Sequence, residues 1–82
     1  MSSKTDAITE CTVDALIYFF GQNLAPSRKM IVNRIKDQKQ GLNADGRLDL
    51  VVARRLNHLV EVGTLRRIEG NLYVPTEKYS DP

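Results

Sequence analysis

The sequence has few of the residues that cross-link small domains. Cys11 is the one cysteine among 82 residues, so an intramolecular disulfide is excluded. The longest apolar run covers residues 15–20, far shorter than the roughly 20 residues that span a bilayer. The N-terminus has no basic segment followed by an apolar one, as a secretory signal would. We therefore expect one soluble, cytoplasmic domain that is stabilised by packing.

Positive charge is concentrated in the middle of the chain. The formal net charge is only +2, but residues 24–67 hold ten of the twelve Lys and Arg residues and only four of the ten acids. This segment carries +6 and each end carries −2. Such segregation concentrates positive potential on the middle elements and favours an acidic partner. A solvated basic surface without a partner is the alternative.

Residues 6–22 have the apolar periodicity of an amphipathic helix. One broad face is predicted to be buried, and it holds Ile8, Cys11, Thr12, Ala15, Leu16 and Phe19. A second stripe, formed by Val13, Ile17 and Phe20, lies on nearly the opposite side. Gly21 and Asn23 are expected to end the helix. This helix therefore has more apolar surface than one core face needs.

Two further helices follow. Pro26 interrupts the first pattern and Ser27 is a good N-cap for a second helix that starts near Arg28. Its predicted buried stripe is Ile31, Val32 and Ile35. Residues 41–47 are typical of a loop. The third helix is predicted from residue 47 or 48 to 62, with Asp45 or Asp49 as its cap and Gly63 at its end. Its predicted inner residues are Val52, Ala53, Leu56, Leu59 and Val60.

A β-hairpin completes the predicted order. Residues 65–68 and 72–75 are β-prone, and Glu69, Gly70 and Asn71 between them are typical of a tight turn. One hairpin alone is marginal in water. We therefore expect it to lie against the helices, with Leu24 and Ala25 adding a short third strand.

Residues 56–75, LNHLVEVGTLRRIEGNLYVP, resemble the end of a winged-helix domain. The resemblance lies in a helix of the form L-x-x-L-x-x-x-G, a strand that opens with Leu and Arg, a turn, and a returning strand with Tyr. It extends over residues 6–75 because the helices before it occur in the winged-helix order. It implies an α+β fold of three helices and a C-terminal hairpin wing. The polar residues at 1–5 and 76–82 are expected to be tails, the first of them flexible. The scale is similar to that of minimal winged-helix regulators of bacteria, phages and plasmids.

The resemblance implies double-stranded DNA as the partner. The third helix of such domains enters the major groove, and the wing touches an adjacent groove or the backbone. Projection of this helix places the candidate base-reading residues on its outer side: Arg54, Asn57, His58, Leu50 and Val51. The candidate backbone contacts are basic: Arg66, Arg67, Arg28, Lys29, Lys36 and Arg47. Arg54 could pair with guanine and Asn57 with adenine.

The second stripe of the first helix predicts a homodimer. Val13, Ile17 and Phe20 would form a self-complementary seam. The alternative is that the hairpin or Tyr79 covers the stripe within one monomer. A protein-interaction module of the same fold is the second functional hypothesis. It would dock through Leu50, Val51 and this stripe.

Catalytic and metal-binding motifs are not indicated. His58 and Cys11 are the only soft ligands, too few for a closed zinc site. Aligning Gly46 with the glycine of a calcium loop puts Val52 where the bidentate Glu belongs. No phosphate-binding glycine motif occurs either. We therefore expect no cofactor, no small-molecule ligand and no enzymatic activity, and we expect a DNA-binding regulator of transcription.

Overall fold

A computed structural model describes residues 4–38 and 47–79 of the chain. The elements are α1 (Lys4–Gly21), α2 (Arg28–Gln38), α3 (Leu48–Glu61), β1 (Leu65–Ile68) and β2 (Leu72–Pro75). Three helices thus precede one antiparallel two-stranded sheet, the α+β layout expected from the sequence. Most of the predicted loop at 41–47 lies outside the described residues, as does Asp45, one of the two predicted caps of α3.

Helix α1 buries the face predicted from its periodicity. Ile8, Thr12, Ala15, Leu16 and Phe19 are buried, and Cys11 is partly buried. The Thr12 hydroxyl donates a 2.8 Å hydrogen bond to the Ile8 carbonyl, so this buried polar side chain is satisfied. The helix begins at Lys4, inside the segment expected to be a flexible tail.

The end of α1 is made by Asn23. Its φ is 59°, the left-handed conformation that closes many helices. The Asn23 amide donates to the Phe20 carbonyl at 3.0 Å, and the Leu24 amide donates to Phe19 at 3.0 Å. Gly21 remains within the helix. The predicted stop is therefore confirmed at Asn23 and not at Gly21.

Helix α2 starts and packs as predicted. The Ser27 hydroxyl accepts a 3.3 Å hydrogen bond from the Met30 amide, which satisfies one unpaired donor of the first turn. Ile31, Val32 and Ile35 form the buried stripe. This short helix therefore contributes one narrow face to the core and leaves its basic residues outside.

Helix α3 is rotated slightly from the predicted position. Leu48, Val51, Val52 and Leu56 are its buried residues. The prediction that Val51 faces outward is wrong, because only 6% of this residue is exposed. The physical reason is that α3 packs against both α1 and α2. Its buried arc is therefore wider than the stripe a single neighbour would cover.

The two ends of α3 differ in how they are capped. Arg47 occupies the N-cap position and makes no capping hydrogen bond with its side chain. Asp49, predicted as a possible cap, lies instead in the first turn. At the other end, Gly63 has a φ of 87°, and the Thr64 amide donates to the Leu59 carbonyl at 2.9 Å. This is the left-handed glycine cap that the sequence predicted.

The hairpin has the predicted strands and turn. Leu65 pairs with Pro75 and Ile68 with Leu72, while Gly70 and Asn71 adopt positive φ in the turn. The third-strand contact is displaced from the predicted Leu24 and Ala25. The Tyr73 amide donates to the Pro26 carbonyl at 2.8 Å, and Ser27 forms an isolated bridge with Leu72. Buried Pro26 therefore brings the chain to β2.

The segment after β2 packs against the domain as far as Tyr79. The Thr76 amide donates to the Thr64 carbonyl at 3.0 Å, and the Thr76 hydroxyl bonds to the Gly63 carbonyl. The Tyr79 ring lies 5.2 Å from the Phe20 ring, centroid to centroid. The first four residues of the segment predicted as a tail therefore belong to the folded domain. Within residues 4–38 and 47–79, no helix combines the length and apolar character needed to cross a membrane.

Replacing Gly63 by alanine should lower the free energy of unfolding by about 1 to 2 kcal/mol, because a Cβ is strained in the left-handed region. Gly21→Ala is the matched control. Gly21 is the last residue of α1, its φ is not positive and a Cβ there would meet nothing within 4 Å, so this change should stabilise the protein by about 0.4 to 1 kcal/mol. Urea unfolding followed by circular dichroism measures both. Equal effects of the two substitutions would contradict the assigned cap.

Candidate nucleic-acid interface

The outer face of α3 presents four of the five candidate base-reading residues. Leu50, Arg54, Asn57 and His58 are exposed, and Leu50 is 51% exposed. Val51 belongs to the core and leaves this set. The remaining four side chains lie on consecutive turns of one helix. They can therefore reach a partner that lies along α3.

One flank of this outer face is a basic groove between α2, α3 and the hairpin, which we call the hairpin-side groove. It encloses about 410 Å³ and is lined by Arg28, Lys29, Ala53, Asn57, Arg67, Asn71 and Tyr73. Three of the candidate backbone-contact residues thus meet beside Asn57. Residues from three separate segments of the chain build this flank.

A hydrogen bond joins the hairpin to α3 in this groove. The Arg67 guanidinium donates to the Asn57 Oδ1 at 3.0 Å, and its carbon lies 5.7 Å from the centre of the Tyr73 ring. Buried Tyr73 thus helps to position the Arg67 side chain. Because Oδ1 accepts from Arg67, the Asn57 amide presents its two N–H donors away from that bond. Arg67 therefore orients Asn57, a role that the sequence did not indicate.

Lys29 and Lys36 extend the basic surface along α2. A groove of about 250 Å³ is lined by Arg28, Lys29, Val32, Asn33, Lys36 and Asp49. Asp49 contributes a negative charge there, and its Oδ1 lies 3.7 Å from the Arg28 Nε. Both side chains are more than half exposed, so this ion pair contributes little to stability. It does reduce the positive potential at the start of α2.

The other flank of α3 faces α1, and we call it the α1-side groove. It encloses about 390 Å³ and is lined by Thr9, Arg47, Leu50, Val51, Arg54, Arg55 and His58. Arg54 and His58 thus lie on the opposite flank from Asn57. The structure adds Arg55 to the residues singled out from sequence. It lies one position from Arg54, at the margin of the helix projection, where periodicity does not decide between core and surface.

The two arginines of β1 take different positions. Both are exposed, and alternation along the strand sends them to opposite faces. Arg67 lies over the hairpin-side groove, whereas Arg66 pairs across the hairpin with Val74 and lines neither groove beside α3. Only Arg67 is therefore brought together with the outer face of α3.

The candidate dimer seam lies in a third groove, the apolar groove between α1, α3 and β1. Val13, Ile17 and Phe20 are all partly buried. They line this groove of about 160 Å³ together with Leu59, Leu65 and Tyr79, and Arg55 is the one charged residue among the described residues of its lining. The Tyr79 ring covers Phe20, as the alternative to a dimer seam expected. Val13 and Ile17, the other two residues of the stripe, are half-buried, and the groove that they line is open to solvent.

The bond between Arg67 and Asn57 should appear as a coupling free energy of about 0.5 kcal/mol in a double-mutant cycle, the low end for a hydrogen bond because both residues are exposed. Urea unfolding would give the free energies of unfolding of the wild type, Arg67→Ala, Asn57→Ala and the double variant. Arg66→Ala with Asn57→Ala is the control cycle and should show no coupling. Indistinguishable values for the two cycles would mean that Arg67 does not hold Asn57 in solution.

Comparisons with protein-family models, with curated proteins and with solved structures each give no match. The assignment of the candidate interface therefore rests on the geometry of this chain alone. That geometry is an exposed helical face with Arg54 and Asn57, bordered on each side by a groove that contains arginine.

Proposed function

We propose that the protein is a small DNA-binding regulator of transcription with a winged-helix fold. In this proposal, α3 enters the major groove and the hairpin is the wing, which contacts the backbone or the adjacent groove. The observation that carries the proposal is the convergence of Arg28, Lys29 and Arg67 beside Asn57 on the outer face of α3. Cations on the flank of a helix can bind phosphates while the helix reads bases.

Base reading is proposed for the exposed residues of α3. Arg54 can donate paired hydrogen bonds to guanine O6 and N7, and Leu50 can contact a thymine methyl group. The bond from Arg67 favours recognition by Asn57 through its N–H donors. Asn57 would then contact an acceptor such as adenine N7 or guanine O6. His58 lies beside Arg54 in the α1-side groove and can add one further contact.

Phosphate binding is proposed for the basic residues around this helix. Arg28, Lys29 and Lys36 lie along α2, Arg47 precedes α3, and Arg66 and Arg67 lie on the hairpin. All six are exposed. Contacts from these side chains would supply affinity and register but no sequence discrimination. The ion pair between Arg28 and Asp49 makes Arg28 the weakest of these candidates.

A protein-interaction module of the same fold is the second candidate function. The observation that favours it is Leu50, which is half exposed in the centre of the outer face, with the half-buried stripe of α1 as a second apolar surface. The burial of Val51 removes one of the apolar residues on which this hypothesis depended. The arginines on both flanks of α3 favour DNA over an apolar protein surface.

Salt titration of duplex binding tests the proposal. We expect contact with roughly 4 to 6 phosphates per protomer and a slope of log affinity against log salt concentration of about −4 to −5. Arg54→Ala should cost about 1 to 3 kcal/mol on a selected site and flatten the preference at one base pair. Arg66→Ala should weaken selected and random duplexes alike, whereas Arg67→Ala should also reduce the preference at the base that Asn57 contacts, because Arg67 orients Asn57.

The matched control is Arg34→Ala. Arg34 lies on the flank of α2 that packs on α1, with its guanidinium carbon 3.4 Å from the centre of the Tyr18 ring. The Arg34→Ala substitution removes one positive charge outside the proposed interface, so the base preference and most of the duplex affinity should be unchanged. A wild-type protein without duplex binding at low salt would exclude DNA as the partner. Equal losses for Arg54→Ala on selected and random duplexes would place base reading elsewhere.

A homodimer through the apolar groove is the proposed assembly. It would pair two α3 helices and favour an inverted repeat with half-sites about one helical turn apart. Ile17→Glu should give a folded monomer, because Ile17 is only half-buried and the carboxylate can reach water. Leu24→Glu places the same charge on an apolar residue that does not line the groove and should remain dimeric. Sedimentation and circular dichroism measure both outcomes. A monomeric wild type at high concentration would contradict this prediction.

A further inference from the structure

Arg55 is the one arginine of α3 that the proposed base and phosphate contacts do not use. It is half-buried between α1 and α3. Its Nε atom is buried and has no hydrogen-bond partner among the residues that the structure describes. An uncompensated guanidinium held partly away from water costs free energy. The side chain therefore has reason to bind an anion at the part of its guanidinium that remains accessible.

The α1-side groove gives that anion a place to bind. Arg55 lines it together with Arg54, one position along the helix, and His58, one turn away from Arg54. Arg47 and the Thr9 side chain line it as well, and within the described residues no Asp or Glu does. Leu50 and Val51 form an apolar wall that strengthens electrostatic attraction nearby by excluding water. The volume of about 390 Å³ is sufficient for a small ligand.

We propose that the α1-side groove is a binding site for a phosphate group, with Arg54 and Arg55 as its principal ligands and His58 as a further donor. Planar guanidinium groups match the geometry of phosphate oxygens and can bind them in pairs. The phosphate can come from a duplex backbone on this side of α3, in which case Arg55 would bind it while Arg54 reads a base, or from a small phosphorylated molecule. In the second case the molecule would share Arg54 with the proposed base-reading surface. Its binding would then compete with duplex DNA.

Pyrophosphate at constant ionic strength is the probe, and Arg55→Gln is the principal variant. Isothermal titration should show saturable binding to the wild type and a loss of about tenfold in affinity for Arg55→Gln, the effect of one charge-assisted hydrogen bond. Arg55→Lys retains the charge without the paired geometry and should be intermediate. Arg34→Gln removes the same charge from α2, outside the groove and outside the proposed interface, and should bind as the wild type does.

A thermal readout separates binding from folding. Pyrophosphate should raise the Tm of the wild type and of Arg34→Gln, because a ligand of the folded state stabilises it. At the same pyrophosphate concentration, the rise in Tm should be smaller for Arg55→Gln, because its affinity is about tenfold lower. Without pyrophosphate, Arg55→Gln should melt at or above the wild-type temperature, because the substitution removes an uncompensated half-buried charge. No saturable binding to the wild type, or an equal loss for Arg34→Gln, would overturn the proposal.

Duplex titrations distinguish the two sources of phosphate. If a DNA backbone supplies it, Arg55→Gln lowers duplex affinity and reduces the salt slope by about one. If a small molecule supplies it, Arg55→Gln leaves duplex affinity unchanged, and displacement of duplex from this variant needs about tenfold more pyrophosphate than displacement from the wild type. Binding of pyrophosphate by a protein that binds no duplex would refute the proposed DNA function and leave this site standing.

Discussion

The burial of α3 against two other helices is the constraint on which the rest of the structure depends. This helix packs on α1, on α2 and on β1, so its buried arc takes in Leu48, Val51, Val52 and Leu56. What remains outside is a narrow outer face with Leu50, Arg54 and Asn57. A small rotation of α3 would bury one of these residues and expose a core residue, so the same packing sets both the stability and the candidate interface.

The hairpin depends on contacts that are distant in sequence. Two strands of four residues each are marginal alone, and Leu65 and Tyr73 bury the side that faces the helices. The Tyr73 amide bonds to Pro26, while Thr76 bonds to the carbonyl groups after α3. These bonds hold the hairpin beside α3. Arg67 is therefore within reach of Asn57, and the hairpin becomes part of the candidate interface.

Local sequence patterns predicted most of the fold correctly. The buried faces of α1 and α2 follow from helical periodicity, the start of α2 from Ser27, and the end of α3 from Gly63. Each depends on residues within a few positions of one another, where spacing and turn chemistry dominate. The errors arose where a distant segment decides: residues 76–79, expected to form a tail, pack against the domain, and Pro26 rather than Leu24 bonds to the hairpin.

The sequence by itself determined which residues of α3 could be exposed, because alternative rotations of an amphipathic helix share most of one face. Arg54, Asn57 and His58 were identified in this way. Only the tertiary structure decided that Asn57 lies on the hairpin flank with Arg67, that Arg54 lies on the α1 flank with Arg55, and that Val51 is buried. The reason is geometric. Helical spacing gives relative angles around one axis, but the neighbours of that axis are set by packing between segments that are far apart in the chain.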